Sequence, residues 1–227
     1  MNKKKLLTIA MVLSMAAILA IGGTIAYFTA EDYNTNTFAI GDVNIELDEA
    51  EVTFNDETNL WEVNDPENRV KENVYEEIYP GAVLPKDPTV HNVGTNEAYI
   101  RVTVTANPYA LGHLMNDDAK DSKFNFESLV DINTDSWTFE EGSEKLENVL
   151  DPENATYSIT YRYKWIVQTG ADTTPLFTKV TIPTTLETMY NHGNWQFELH
   201  AEAIQSDTFA DADAAWDAFE AQTNPQV

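Results

Sequence analysis

The chain of 227 residues contains no cysteine. A disulfide framework, a cysteine nucleophile, a cysteine-ligated metal and thiol redox chemistry are therefore all excluded. Without such cross-links, the stability of the fold must come from side-chain packing or from assembly with neighbouring molecules.

Basic residues are scarce, with 13 Lys and Arg against 38 Asp and Glu and a formal charge of −25. Nucleic acids and anionic lipid surfaces are bound through Lys and Arg, because these side chains neutralise phosphate. The composition therefore predicts no nucleic-acid partner, and it favours solubility, cation binding and mutual repulsion at low salt. An aromatic content of 11% is too high for a solvating disordered tail, so a folded core is expected.

The familiar catalytic motifs are missing from the sequence. The histidines are His91, His113, His192 and His200, and they include no His-Glu-x-x-His pair, in which two zinc ligands lie one helical turn apart. The sequence also has no Gly-rich phosphate loop and no Gly-x-Ser-x-Gly nucleophile elbow. We therefore predict no catalytic residue and no resident cofactor.

Two groups of residues keep a metal site open. Glu198, His200 and Glu202 alternate along a predicted strand, so a single face would present all three to one ion. Residues 117–121 hold three aspartates in a loop, where oxygen ligands for Ca²⁺ would lie, but without the EF-hand spacing. A solvated strand face and a solvated acidic loop are the simpler interpretations, so Ca²⁺ at the acidic surface is the cofactor to test.

The N-terminus has the three parts of a secretory signal peptide. Three lysines at positions 3–5 precede an almost wholly apolar run, residues 6–21, and a pair of glycines leads to small residues that end at Ala26. We expect cleavage at or near Ala26 and Tyr27, so residues 1–26 form the signal helix and the mature protein is exported. An exported protein without cysteine fits secretion by a Gram-positive bacterium.

The same uncharged stretch, residues 6–30, is long enough to span a bilayer as an anchor. The glycine pair would end the apolar helix, and the small residues after it favour cleavage. The predicted membrane contact is therefore limited to the uncleaved signal peptide. Loss of its three lysines leaves 10 basic against 38 acidic residues, a formal charge of −28.

Most of the mature chain alternates apolar and polar residues, a pattern that is typical of strands with one buried face. The alternation is clearest in residues 43–47, 100–104, 159–167, 180–182 and 195–203. It predicts an all-β protein, an antiparallel β-sandwich in which one apolar face of each strand is buried. The predicted core residues are Ile100, Val102, Val104, Tyr161, Tyr163, Trp165, Trp195, Phe197 and Leu199.

Three weaker segments complete the predicted domain, which spans residues 42–227. Residues 51–54 and 60–63 are predicted to pair as a hairpin. Residues 107–152 are the least regular part and are predicted to be an insertion that carries short helices. A short peripheral helix at about residues 208–220 is predicted from apolar residues at helical spacing, which are Ala212, Ala215, Trp216 and Phe219.

The N-terminal region and two later blocks resemble the TasA/camelysin family of exported bacterial proteins. After the lysine-rich start and the apolar run, the matching residues are Gly22, Gly23, Thr24, Ala26, Tyr27, Phe28, Thr29, Asn36, Phe38, Gly41 and Val43. The later blocks are Pro80, Gly81, residues 86–90, Asn92, Gly94, Thr95, residues 98–102, and residues 203–205 followed by Ala215 and Trp216. The resemblance is thin over residues 107–152.

The resemblance implies a jelly-roll-type β-sandwich with added helices, and it implies one of two functions. TasA-like members are fibre subunits of biofilm matrices, so the partners would be other copies of the chain and a dedicated signal peptidase of the SipW type. The camelysin branch is described as a cell-surface metallopeptidase, but no metal-ligand motif matches at any position. The fibre subunit is therefore the preferred hypothesis, and the metallopeptidase is the alternative.

Cleavage of the signal peptide would free residues 27–41, which carry the apolar side chains Tyr27, Phe28, Tyr33, Phe38 and Ile40. A free strand can complete the sheet edge of a neighbouring molecule through main-chain hydrogen bonds and side-chain burial. Such a head-to-tail contact does not close on itself, so it builds filaments. Alternatively, the segment folds back as the first strand of its own domain, and the sequence leaves both arrangements open.

Overall fold

A computed structural model of the protein describes residues 42–76, 78–106, 122–147, 156–184 and 196–223. All of them belong to one compact unit, Gly41–Val227. Several predictions concern positions outside these ranges, namely the signal peptide 1–26, the segment 27–41, the acidic loop 117–121, His113, His192 and Trp195.

The regular secondary structure of the described residues is mostly β-strand. The strands are β1 (Ile45–Ala50), β2 (Val52–Asn55), β3 (Leu60–Val63), β4 (Arg69–Val70), β5 (Val83–Pro85), β6 (Thr89–Asn92), β7 (Ala98–Ala106), β8 (Trp137–Phe139), β9 (Lys145–Glu147), β10 (Thr156–Tyr163), β11 (Lys179–Thr181) and β12 (Phe197–Gln205). The helices of the described ranges are α1 (Ser122–Leu129) and α2 (Ala212–Thr223).

The strand pairs of these ranges are all antiparallel. The largest sheet has the order β12–β7–β10–β8, and β9 also pairs with β10. A three-stranded sheet has the order β4–β1–β6, and the pairs β11–β5 and β2–β3 form separate two-stranded sheets. The prediction of an all-β, antiparallel protein is therefore confirmed.

The two central strands of the large sheet follow the predicted alternation. Along β7, every second residue from Ala98 to Ala106 is buried and the residues between them are half-buried. In register, Val102 lies between Tyr161 of β10 and Ala201 of β12. These strands are rich in β-branched and aromatic residues, which pack well on a pleated surface.

One hydrophobic core is shared by the large sheet and the strands that face it. Its largest fully buried side chains include Trp137, Tyr161, Phe126, Phe177 and Ile100. Partly buried apolar side chains of β1 pack against the same cluster. Burial of each large apolar side chain is worth about 1.5–3 kcal/mol relative to exposure, so this cluster holds the sheets together.

The prediction that Trp165 is a core residue is wrong, because 53% of its surface is exposed. The register of β7 and β10, in which Arg101 pairs with Arg162, would place Trp165 opposite Ala98. Ala98 instead pairs with Val167, so two extra residues are looped out between β10 and this bridge. The loop carries Trp165 to the surface, while Val167 regains the buried face at 2% exposure.

The other predicted core residues are divided between full and partial burial. Ile100, Val102, Val104 and Tyr161 are at most 1% exposed. The remaining described ones, Tyr163, Phe197 and Leu199, are partly buried and pack against the core.

The described part of the predicted insertion, residues 122–147, is not a peripheral addition. Phe126 and Leu129 of α1 are almost completely buried, and Trp137 of β8 is 2% exposed. The Trp137 indole Nε1–H donates to the Thr174 carbonyl at 3.0 Å, and β8 pairs with β10. Periodicity missed β8 and β9 in this segment, because strands of three residues are too short to show an alternation.

The predicted hairpin is confirmed, since β2 pairs with β3 and the tilted rings of Phe54 and Trp61 are in contact, with a centroid distance of 5.4 Å. The C-terminal helix begins at Ala212, later than the predicted residue 208. Thr208 has a φ of 87°, which a helix does not allow, and the Asp211 carboxylate caps the helix by accepting from the Ala214 amide at 2.9 Å.

Candidate functional site

The free edge of β12 is the feature of the described fold best suited to binding another strand. β12 is nine residues long and pairs with β7 along its whole length. No other strand of the described ranges pairs with it. A long edge of this kind presents unpaired backbone N–H and C=O groups that can template a further strand.

The apolar side chains of β12, at this edge of the sheet, are only partly buried. Four apolar residues of β12 lie opposite four residues of β7 that are at most 1% exposed, yet they remain only half-buried. The pairs are Phe197 with Ala106, Leu199 with Val104, Ala201 with Val102, and Ala203 with Ile100. An added strand would therefore gain apolar contact as well as backbone hydrogen bonds.

The chain enters the described fold close to one end of this edge. The Asp42 amide donates to Thr95 Oγ1 at 2.8 Å, and the Asp42 carbonyl accepts from the Thr95 amide at 2.9 Å. The neighbouring Asn96 side chain donates from Nδ2 to Gln205 Oε1 at 3.3 Å, at the last residue of β12. Asp42, the first described residue, therefore lies near the Gln205 end of the strand.

Gly94 makes this entry point possible. A Cβ atom at this position would lie 2.5 Å from the Asp42 carbonyl oxygen and 2.6 Å from the Asn44 nitrogen. Both contacts are to backbone, which cannot rotate away. The Gly-Thr pair at 94–95 thus lets two backbone segments cross closely, whereas the sequence analysis had named these two residues only as part of the TasA/camelysin resemblance.

The candidate metal residues lie on the opposite, polar face of β12. Glu198, His200 and Glu202 do share this face, opposite Thr105, Thr103 and Arg101. However, the Glu202 carboxylate accepts a hydrogen bond from Arg101 Nε at 2.8 Å. In the part of the chain that the structure describes, no group of three or more His, Asp or Glu residues is arranged to hold a metal ion.

Helix α2 covers part of this polar face through a network of charges. The Arg101 guanidinium donates to Glu202, Glu140 and Glu220, and it stacks over the Trp216 ring at 4.4 Å. Cation–π contacts contribute about 0.5–1 kcal/mol at exposed sites and about 2 kcal/mol when they are shielded from water. Sequence reasoning placed Arg101 on a wet face and missed its contact with the helix.

Arg162 extends the network. Its side chain donates to Glu140 at 2.7 Å and to Asp213 of α2 at 2.8 Å. The hydrogen bond to Glu140, supported by the charges of both carboxylates, outweighs partial burial and raises the pKa of Arg162. Helix α2 therefore covers part of the sheet surface beside β12, and the outer edge of β12 pairs with no other strand of the described ranges.

Comparisons with protein-family models, with curated proteins and with solved structures find no match to this chain. Among the described residues, no helix is both long and apolar enough to cross a membrane.

Proposed function

We propose that the protein is an exported structural subunit of extracellular biofilm-matrix fibres, with a jelly-roll-type sandwich of the TasA/camelysin kind. Residues 27–41, freed by signal cleavage, donate a strand to the next subunit. The observation that carries the proposal is the free edge of β12, which combines nine residues of backbone with a half-buried apolar row.

The dimensions of donor and acceptor agree. Residues 27–41 number 15, which reach about 50 Å when extended, and the nine residues of β12 span about 30 Å. Phe38 and Ile40 lie on one face of an extended strand, and Thr37 lies on the other. Burial of Phe38 and Ile40 against the apolar row would contribute about 1.5–3 kcal/mol each.

The direction of the chain favours donation to a neighbour over folding back. Because Asp42 lies near the Gln205 end of β12, the segment of the same chain would have to run parallel to β12. The strand pairs of the described fold are all antiparallel, and parallel pairing is slightly less stable per residue. A segment from another subunit can approach in the antiparallel direction.

Cysteine cross-linking separates the two arrangements cleanly, because the natural chain has no cysteine. The mature chain would carry either His200→Cys on β12 or one cysteine at Thr35, Thr37 or Ala39 of the donor segment. Mixing the two single variants should give disulfide-linked dimers under oxidising conditions. The opposite result would be an intramolecular disulfide in a chain that carries both cysteines, together with no dimer in mixtures of the single variants. That result would establish that the segment folds back on its own domain, and it would exclude donation.

Assembly itself is measured by electron microscopy and light scattering of the mature protein. Phe38→Asp should abolish filaments, whereas Thr37→Asp, with the same charge on the other face, should leave them. Deletion of residues 27–35 should leave a folded monomer. Added salt or millimolar Ca²⁺ should speed growth, because the subunit charge of −28 is then screened. A chain that stays monomeric at high salt and high concentration would contradict the fibre role.

A further inference from the structure

His91 of β6 is held between two carboxylates. Its ring nitrogen Nδ1 lies 2.6 Å from Asp172 Oδ1, and Nε2 lies 2.9 Å from Asp48 Oδ1. Ionised carboxylate oxygens only accept hydrogen bonds, so both ring nitrogens must donate. The arrangement therefore requires the ring to be a doubly protonated imidazolium.

The charges around this ring alternate in sign. Asp48 Oδ1 also accepts from Arg69 Nε at 2.8 Å, and Arg69 Nη1 donates to Asp87 Oδ2 at 2.7 Å. The directly paired residue on β1 is the exposed Glu46. The groups that face His91 are therefore acidic, namely Asp48 and Glu46 of β1 and Asp172. Arg69 of β4 lies one step further away, where it pairs with both Asp48 and Asp87.

Asp172 belongs to a strap, residues 170–176, that runs along the outer edge of β6. The Thr173 amide donates to the Val90 carbonyl at 2.9 Å, and the Asn92 amide donates to the Ala171 carbonyl at 3.0 Å. The other edge of β6 pairs with β1. The strap therefore occupies the sheet edge that β6 would otherwise present, and the chain continues directly into the buried Phe177.

We propose that His91 is a pH-sensitive clasp that holds the strap on β6, so that deprotonation of the ring opens a second sheet edge. A neutral ring keeps one N–H, so its other nitrogen would direct a lone pair at a carboxylate. One of the two contacts then changes from attractive to repulsive. The proposed clasp acts at the edge of β6 and not at the edge of β12, and it does not depend on the proposed fibre role.

The pH range follows from the sign of the linkage. Partial burial opposes the charged ring, but the hydrogen bonds and charges of Asp48 and Asp172 outweigh it and raise the pKa of His91. Stabilisation by the clasp is therefore complete below the ring's ordinary pKa and is lost as the pH rises through the raised value. Between these two values, opening of the strap increases about tenfold per pH unit.

Hydrogen exchange of the mature protein, followed residue by residue by NMR, tests the clasp. After correction for the intrinsic pH dependence of exchange, the amides of Thr173 and Asn92 should keep their protection up to about pH 6.5 and then lose it by about tenfold per unit until a plateau. The Ser206 amide, bonded to the Glu97 carbonyl elsewhere in the fold, is the reference and should not follow this step.

Variants of the two described histidines provide the matched comparison. His91→Gln should remove the pH step, and His200→Gln on the exposed face of β12 should retain it. If His91→Gln fails to fold, Asp172→Asn removes only the more exposed carboxylate and should lower both the ring pKa and the Thr173 protection at pH 6. The clasp is wrong if NMR finds the His91 ring neutral at pH 6, or if Thr173 protection shows no pH step.

Discussion

Trp137 and Trp165 flank the ring of Tyr163, with centroid distances of 5.0 Å and 5.5 Å, and both contacts are edge-on. Their surroundings nevertheless differ greatly, since Trp137 is 2% exposed and Trp165 is 53% exposed. Replacement of each by alanine therefore tests whether Trp165 leaves the buried face after β10, because the predicted alternation over residues 159–167 would have buried it.

The expected costs follow from burial. Trp137→Ala removes a fully packed indole and should cost about 3–5 kcal/mol of unfolding free energy. It also removes the donor to the Thr174 carbonyl, and a hydrogen bond of this type contributes about 0.5–1.5 kcal/mol. Trp165→Ala loses only an edge contact on the surface and should cost at most about 1 kcal/mol.

Urea unfolding of the mature protein, followed by far-UV circular dichroism, measures both costs under identical conditions. Equal slopes against urea concentration would show that both variants unfold from a native state of the same compactness. If Trp165→Ala costs as much as Trp137→Ala, the loop after β10 is not present and Trp165 lies in the core after all.

Four further outcomes are expected. Gly94→Ala should cost about 1–3 kcal/mol through overpacking and should shift the amide resonances of residues 42–44, and unchanged resonances would contradict the close crossing. Arg101→Ala should cost about 1.5–3 kcal/mol and loosen α2 in hydrogen exchange, and Arg101→Lys should not restore the protection of α2, because lysine lacks the planar fork. Casein digestion should be absent with and without a chelator, whereas chelator-sensitive cleavage abolished by His200→Ala would establish the metallopeptidase. N-terminal sequencing of secreted protein should begin at or near Tyr27, whereas a full-length protein retained in the membrane would favour the anchor.

The long strands could be predicted from sequence because their evidence is local. In β7, β10 and β12, side chains alternate between the two faces of the sheet, so apolar and polar residues alternate with a period of two in the sequence of each strand. The short strand β8 has only three residues, and nothing in so short a window distinguishes it from a loop. Its burial is due to its pairing with β10, which lies later in the chain.

The candidate edge needed both kinds of information. The sequence predicted that Phe197 and Leu199 share an apolar face, but not that β12 would be the last described strand of its sheet. Strand order depends on pairing between residues far apart in the chain, and no periodicity records it. The half-burial of these side chains, which supports the assembly proposal, follows from that order alone.

The sequence by itself determined the composition-level properties and the faces of the long strands, because charge, the absence of cysteine and alternation are local quantities. Only the tertiary structure decided which polar groups meet. His91 contacts Asp48 and Asp172, which are 43 and 81 residues away along the chain, and Arg101 contacts Glu220 at a separation of 119 residues. Such contacts arise when the strands pair and the core packs, so the strand order and register decide whether a charge is solvated or held by a partner.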